Sequence, residues 1–232
     1  MTKLIVDKDR LPVHVAIIPD GNRRWAKKHH LPVFEGHRRG YNVANGIAKY
    51  ARQMGIRILT YWAFSTENWK RANREVSFLM GLFEQAIAVH LKEALKDQVR
   101  IIHIGRKDRI NTRLKRKIVE AEEKTEHFNK YYLVIALDYG GRDEIVRAIK
   151  RIKNGELRME NFDKVLDTKD LPQPEPDLII RTSAEKRTSG FMLWQAEYSE
   201  YMFIDKLFPD FTLDDFDNCI RNYLARARRF GA

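Results

Sequence analysis

The sequence predicts one α/β domain, a mainly parallel central sheet flanked by helices. Five apolar runs rich in β-branched and aromatic residues read as strands buried on both faces, and amphipathic stretches of helical period separate them. No internal repeat or low-complexity block divides the 232 residues, a length sufficient for one substantial core.

In chain order, residues 1–12 read as an N-terminal arm, and the charged opening "MTKLIVDKDRLPV" lacks the apolar centre of a secretory signal. "VHVAII" (13–18) is the first expected strand. A helix over 37–54 follows, with Val43, Ile47, Ala51 and Met54 on one face. "RILTYWAF" (57–64) is the second strand. The helix over 75–96 carries a broad apolar face that includes Val76, Leu79, Phe83, Ile87 and Leu91. "VRIIHIG" (99–105), a helix over 106–127, "YYLVIALDY" (131–139) and a helix over 141–153 continue the alternation. "LPQPEPD" (171–177) reads as a surface connection, because its prolines cannot continue a helix. "DLIIRT" (177–182) is the fifth strand, and a helix over 212–229 closes the chain. The acidic "TLDDFDN" at its start has the spacing of a helix entry with Thr212 as N-cap, not of a metal motif.

The charge balance narrows the partners. Forty-three basic residues against 32 acidic ones give a formal charge of +11. That favours an anionic partner: nucleic acid, a phosphorylated metabolite or an acidic membrane surface. The single Cys219 excludes an internal disulfide framework and a cysteine-based zinc site, and its apolar neighbours predict a buried, inert thiol. No apolar run approaches the roughly 18 residues of a spanning helix. A cytosolic protein, or one on the cytosolic membrane face, is expected.

The unusual residues fall where parallel sheets bind ligands, just after strand C-termini. "PDGNRRWAKK" follows the first strand. Asp-Gly-Asn alone is a common turn signal. A helix starting near Asn22 would also offer free N–H groups to an anion, with Arg23 and Arg24 as charged donors. A carboxylate such as Asp20 suits that setting when a cation bridges it to the anion. Magnesium does so while binding few carboxylates and several phosphate oxygens. "RTSAEKRTS" after the fifth strand interleaves Arg181, Lys186 and Arg187 with hydroxyls, a set suited to phosphate or simply to a solvated loop. "STENWKR" after the second strand adds Ser65, Glu67, Asn68, Trp69 and Arg71. "DYGGR" reads as a strand-to-helix turn, and His29 and His30 lack metal spacing.

Together these segments are diagnostic. "HVAIIPDGNRRWAKK", "GHRRG", "YWAFSTENWKR", "DYGGR", "DLIIRTSAEKRTSGFMLWQAEYSEYMF" and "RARRFG" resemble, in order, the motifs of the cis-prenyltransferases typified by undecaprenyl diphosphate synthase. The resemblance covers residues 13–231. It implies a magnesium-dependent homodimer that condenses isopentenyl diphosphate with an allylic diphosphate starter such as farnesyl diphosphate. It implies Asp20 and Asn68 as catalytic residues, Asn68 helping to remove a proton. Gly21, Asn22, Arg23, Arg24, Trp25 and His37 would bind the allylic diphosphate, with Ser65, Thr66, Glu67, Trp69 and Arg71 around them. Arg181, Arg187, Thr188 and Ser189 would take isopentenyl diphosphate. Asp20 and Glu200 would hold magnesium, and the terminal "RRFG" would complete the partner subunit's site.

Three positions depart from many bacterial members, which carry Met at the position of Pro19, Gly at Arg23 and Arg at Val33. Arg23 or Arg38 would have to replace the guanidinium missing at Val33. With no insertion in 70–100, and with Ala63 small while Trp62 points to the opposite strand face, the expected product is a medium-length polyprenyl diphosphate of the undecaprenyl class. Peripheral membrane association would come through the product. The alternatives are short-chain or irregular lavandulyl-type coupling on the same fold, a catalytically silent prenyl-diphosphate scaffold, and a basic nucleic-acid-binding module. The last leaves Asp20 and Glu200 idle, so no nucleic-acid partner is expected.

Overall fold

The structure, a computed structural model, describes residues 10–152 and 157–226. Its centre is a six-stranded sheet in the order β3-β4-β2-β1-β5-β6, parallel at every pairing. The strands are β1 (His14–Ile18), β2 (Ile58–Ser65), β3 (Val99–Ile104), β4 (Tyr131–Tyr139), β5 (Leu178–Arg181) and β6 (Glu200–Phe203). Five occupy the expected runs. The sixth adds to them: "EYMF" is a short edge strand, half exposed, without the continuous apolar run of its neighbours.

The helices are α1 (Asn22–Lys28), α2 (Val33–Met54), α3 (Asn73–Asp97), α4 (Thr112–Thr125), α5 (Gly141–Arg151), α6 (Met159–Phe162) and α7 (Leu213–Ala225). Helix α2 begins four residues earlier than the apolar pattern indicates. Gly36 and Gly40, which weaken a helix signal, serve packing: a Cβ at Gly36 would stand 2.1 Å from the Asn22 carbonyl oxygen. Helix α4 starts later than expected, where Asn111 Oδ1 accepts from Leu114 N at 2.8 Å. Thr212 caps α7 as predicted, through a reciprocal capping box with Asp215. Helix α7 stops at Ala225, short of the predicted 229, and Arg226 is extended; the "RRFG" tail lies outside the described residues.

Alternation along the strands gives two cores. Val15, Ile17, Leu59 and Ile101 face α2, α3, α4 and α7. Ala16, Ile18, Ile58 and Val134 face the other way, under Phe191 and Met192. Cys219 is buried and free, and burial pushes its thiol up to about 12. Among the described residues no helix is long and apolar enough to cross a membrane.

One irregularity matters for the site. Between β2 and β4 the register runs Trp62↔Ala136, Phe64↔Leu137 and Ser65↔Tyr139, so each strand carries one extra residue. Trp62 stacks on Phe191 on one face, while Ala63 and Phe64 both turn to the other. On β4 the extra residue is Asp138, fully buried with φ 53.

Candidate active site

The C-terminal ends of β1, β2 and β5 converge on one polar cleft. Asp20 is fixed at its centre by backbone geometry. The Thr182 hydroxyl accepts from Asp20 N at 3.0 Å and donates to the Asp20 carbonyl at 2.8 Å, and Phe208 N donates to the same carbonyl at 2.9 Å. Gly21 follows with φ 106 against Leu207, a conformation and a spacing that a side chain would not tolerate.

Cations surround that carboxylate. Arg181, buried, donates to Asp20 Oδ2 at 2.9 Å and to Ser189 Oγ at 2.9 Å, and also reaches the Arg187 carbonyl. Its Nε is buried without a hydrogen-bond partner among the described residues. Arg24 approaches Asp20 at 3.5 Å and Glu185 at 3.4 Å and donates to the Ser183 hydroxyl. Arg23, Lys27 and Arg71 add charge along the same walls. Arg38 instead pairs with Glu35 at 3.1 Å outside this lining, so Arg23 and Lys27 supply positive charge near Val33.

A second carboxylate, not singled out by the sequence, organises the far wall. Glu75 is buried, accepts from Arg71 at 3.1 Å and His37 Nε2 at 3.2 Å, and lies 3.7 Å from Arg23. Because an ionised carboxylate only accepts, His37 Nε2 carries the hydrogen. Burial lowers the His37 pKa, with Glu75 opposing, so the ring is held towards its neutral form. In the sequence Glu75 looks like a favourable first-turn acid of α3 and nothing more.

The loop after β2 presents Ser65, Glu67 and Asn68 to the cleft. Asn68 Oδ1 accepts from Ser65 N at 3.1 Å, which uses one of its two lone pairs and fixes the carboxamide against the loop. Thr66 bonds Glu67 at 2.9 Å, outside the cleft lining. Trp69 Nε1 donates to Asp138 at 2.9 Å, and Arg109 pairs with the same carboxylate. Trp25 is buried, where Trp69 is half-buried, and its Nε1 donates to Asp210 at 2.7 Å. These two indoles brace the loops and do not line the cleft. Asp138 and Asp210 are their unanticipated anchors.

Of the expected isopentenyl diphosphate residues, Arg181 and Ser189 line the cleft. Arg187 is exposed and pairs with Glu185 at 2.5 Å, and Thr188 sits beside it, both outside the lining. Glu200 stands apart from Asp20 within this chain. It opens β6 opposite Leu178, whereas Asp20 follows Ile18, which pairs with Arg181. Those register positions lie three residues apart, about 10 Å along the strands and two strands across. Within one chain the two carboxylates do not converge, and Glu200 instead takes Arg226.

The cleft continues into an apolar channel between the sheet and helices α2 and α3. Pro19, Asn22, His37, Ala63 and Leu79 line both. Deeper walls come from Ala44 and Ala48 of α2, Phe83 and Ile87 of α3, and Leu133 and Ile135 of β4. A charged head and a long hydrocarbon tail therefore have adjoining, oppositely built compartments.

The donor set limits how magnesium could be held. Among the described residues no three His, Cys, Asp or Glu side chains converge. One partly exposed carboxylate amid cations does not make an all-protein cage. It does fit a hard cation that arrives with substrate phosphates and keeps its waters.

Comparison with known proteins gives the same picture. The family model described as "Putative undecaprenyl diphosphate synthase" matches residues 18–231. An isoprenyl transferase of Thermotoga maritima is 48% identical over 229 residues, covering 96% of this chain and 97% of its own. A (2E,6E)-farnesyl-diphosphate-specific ditrans,polycis-undecaprenyl-diphosphate synthase of Micrococcus luteus is 41% identical, covering 97% and 94%. Lavandulyl diphosphate synthase of Lavandula x intermedia, solved with dimethylallyl diphosphate, superposes with a TM-score of 0.92 at 36% identity, covering 97% and 100%. A probable undecaprenyl diphosphate synthase of Campylobacter jejuni gives 0.79 at 35% identity, covering 95% and 99%. The chain belongs to the undecaprenyl diphosphate synthase family of isoprenyl transferases.

Proposed function

We propose that this transferase elongates an allylic diphosphate, such as farnesyl diphosphate, with isopentenyl diphosphate to a medium-length Z-polyprenyl diphosphate. The continuity of the cationic cleft with the apolar channel carries this reading. Each condensation joins the terminal carbon of isopentenyl diphosphate to the allylic carbon, breaks the allylic C–O bond and releases diphosphate and one proton.

In this reading Arg23, Arg24, Lys27 and the N-terminus of α1 hold the allylic diphosphate, where negative charge grows as the C–O bond breaks. Donors already fixed there lower the barrier without reorganising. Magnesium, held by Asp20 together with phosphate oxygens, would add Lewis-acid stabilisation. Arg181 and Ser189 receive isopentenyl diphosphate, with Arg187 and Thr188 on the adjoining loop. Asn68 orients a diphosphate through its NH2 and helps remove the proton of the condensation. The channel keeps the tail dry. Homodimerisation and a cytosolic location, with membrane contact through the product, belong to the same proposal.

Incubation with labelled isopentenyl diphosphate, magnesium and starters of several lengths tests it. Labelled Z-polyprenyl diphosphates are expected. Irregular coupling is favoured by one observation, the TM-score of 0.92 to lavandulyl diphosphate synthase. Product from dimethylallyl diphosphate alone, with none from isopentenyl diphosphate, would establish that reading instead.

A further inference from the structure

The turn after β2, Thr66–Lys70, carries Asn68 into the cleft, while the next side chain, Trp69, stays out of it. A single tight turn does little to fix its own position, so its place depends on what its outward side chains grip. Trp69 supplies that grip. Its ring meets Phe64 edge to face with centroids 5.2 Å apart, and its Nε1 donates to Asp138 Oδ1 at 2.9 Å. Arg109 takes the same carboxylate as a fork: Nε donates to Oδ2 at 2.8 Å, and Nη2 donates to Oδ1. The guanidinium also stands over the indole, 5.8 Å from the ring centroid.

Asp138 is placed for this by the irregularity of β4. It is the extra residue opposite β2, with φ 53, a left-handed conformation that Asp and Asn adopt more readily than most residues. Such a conformation persists where the surroundings fix it, commonly beside functional sites. Its backbone holds the β3–α4 loop as its side chain does, because the Asp138 carbonyl accepts from Arg106 N at 3.1 Å. Gly105 lies so close to this stretch that a Cβ there would stand 2.3 Å from the Leu137 carbonyl oxygen. The β3–α4 loop and the Asn68 turn are therefore fastened to one buried carboxylate from two sides. Neither Asp138 nor Arg109 lines the cleft or the channel.

We propose that Asp138 and Arg109 are positioning residues for the condensation: they fix the Trp69 indole and so set where the Asn68 carboxamide stands in the cleft. This rests on the prenyl-elongation reading. When the fork is lost the turn is free to shift, and a misplacement of about 1 Å at a reacting group can cost about 100-fold in rate. The loss falls on kcat and not on KM, because Arg23, Arg24 and Arg181, which hold the diphosphates, stand on other loops.

The test compares wild type, Arg109→Ala, Arg109→Lys, Trp69→Phe and the Arg109→Ala/Trp69→Phe double variant. Each substitution removes donors to Asp138 and leaves its backbone conformation alone. Rates are measured with magnesium, farnesyl diphosphate and labelled isopentenyl diphosphate, per folded molecule as judged by thermal unfolding. Arg109→Ala and Trp69→Phe should each lower kcat by about tenfold or more, with both KM values near wild type. Arg109→Lys, which keeps a cation without the fork, should fall between Arg109→Ala and wild type. The double variant should be no slower than the slower single one, because both act through one indole. Hydrogen exchange should quicken across residues 65–71 in Arg109→Ala, although the substitution lies on another loop. Ser65 N and Arg71 N, bonded to the Asn68 side chain and carbonyl, report it. Wild-type kcat in folded Arg109→Ala, multiplied losses in the double variant, or unchanged exchange across 65–71 would each overturn the proposal. If Arg109→Ala does not fold, Arg109→Lys decides by the same kcat and exchange criteria. If wild type makes no labelled product, the elongation reading fails, and exchange alone judges the clamp: faster exchange across 65–71 upholds it and unchanged exchange removes it.

Discussion

Arg181 and Asp20 meet at 2.9 Å across the ends of two neighbouring parallel strands, and the arginine is buried while the carboxylate is partly open. One side chain thus holds the carboxylate from the sheet side and leaves its other edge to the cleft. Removing Asp20 altogether would strand a buried guanidinium. Asp20→Asn is the cleaner variant, because its amide oxygen still accepts from Arg181. It should retain the fold and lose on the order of 100- to 1,000-fold in turnover, as expected for a lost electrostatic stabiliser. Turnover above half of wild type at saturating magnesium and substrates would remove Asp20 from the chemistry.

Arg187 tests the division between the two diphosphates. It lies on the exposed loop whose carbonyl Arg181 holds, and it forms a surface ion pair with Glu185. Such pairs add little stability. Arg187→Ala should therefore leave the unfolding midpoint nearly unchanged. A lost charged hydrogen bond to isopentenyl diphosphate would cost about 1.5–3 kcal/mol in its binding, with a smaller effect on the allylic substrate. Equal weakening of both substrates in steady-state titrations would contradict separate sites.

How much was legible in the sequence follows from what periodicity can encode. Five strands stand out because both faces of the sheet are covered, so their apolar runs are unbroken. β6 does not, because an edge strand of four residues with a polar start carries almost no such signal. Chemistry and motif identify the loop residues, and Asp20, Arg23, Arg24, Arg181 and Ser189 do share the cleft. Trp25 and Trp69 face elsewhere than expected, because a large aromatic ring beside a charged loop reads the same whether it meets ligand or core. Glu75, Thr182 and Asp138 escape a sequence reading because their roles depend on long-range partners: His37, Asp20 and Arg109.

Acid should weaken the fold before it protonates most carboxylates. His14 is buried, its Nδ1 near the Gln173 carbonyl at 3.0 Å and its Nε2 near the Thr60 hydroxyl at 2.7 Å. Burial lowers it from 6.5 to about 4, and burial lowers His103 from 6.5 to about 3. The unfolded chain takes up protons that the folded one refuses. Stability is therefore full above pH 6.5 and falls below it, by up to about 1.4 kcal/mol per pH unit for each histidine. Urea unfolding at pH 7 and pH 5 checks this, and equal free energies at the two values would contradict it.

Ala63 is the throat between the two compartments. It lies on the bulged stretch of β2 and belongs to the lining of both cleft and channel, with Pro19, His37 and Leu79 around it. Its side chain points away from Trp62, which stacks on Phe191 across the sheet, so added bulk at 63 enters the channel and not the opposite core. Ala63→Leu should shorten the longest product. The shared position adds a consequence that strand periodicity alone does not supply: every tail, including the starter's, passes this point. The starter KM should therefore rise as well, by more for farnesyl diphosphate than for dimethylallyl diphosphate, whose tail is shorter. Product lengths and starter KM values measured on the same preparations check both effects. An unchanged length distribution with an unchanged farnesyl diphosphate KM would mean that the tail takes another route out of the cleft.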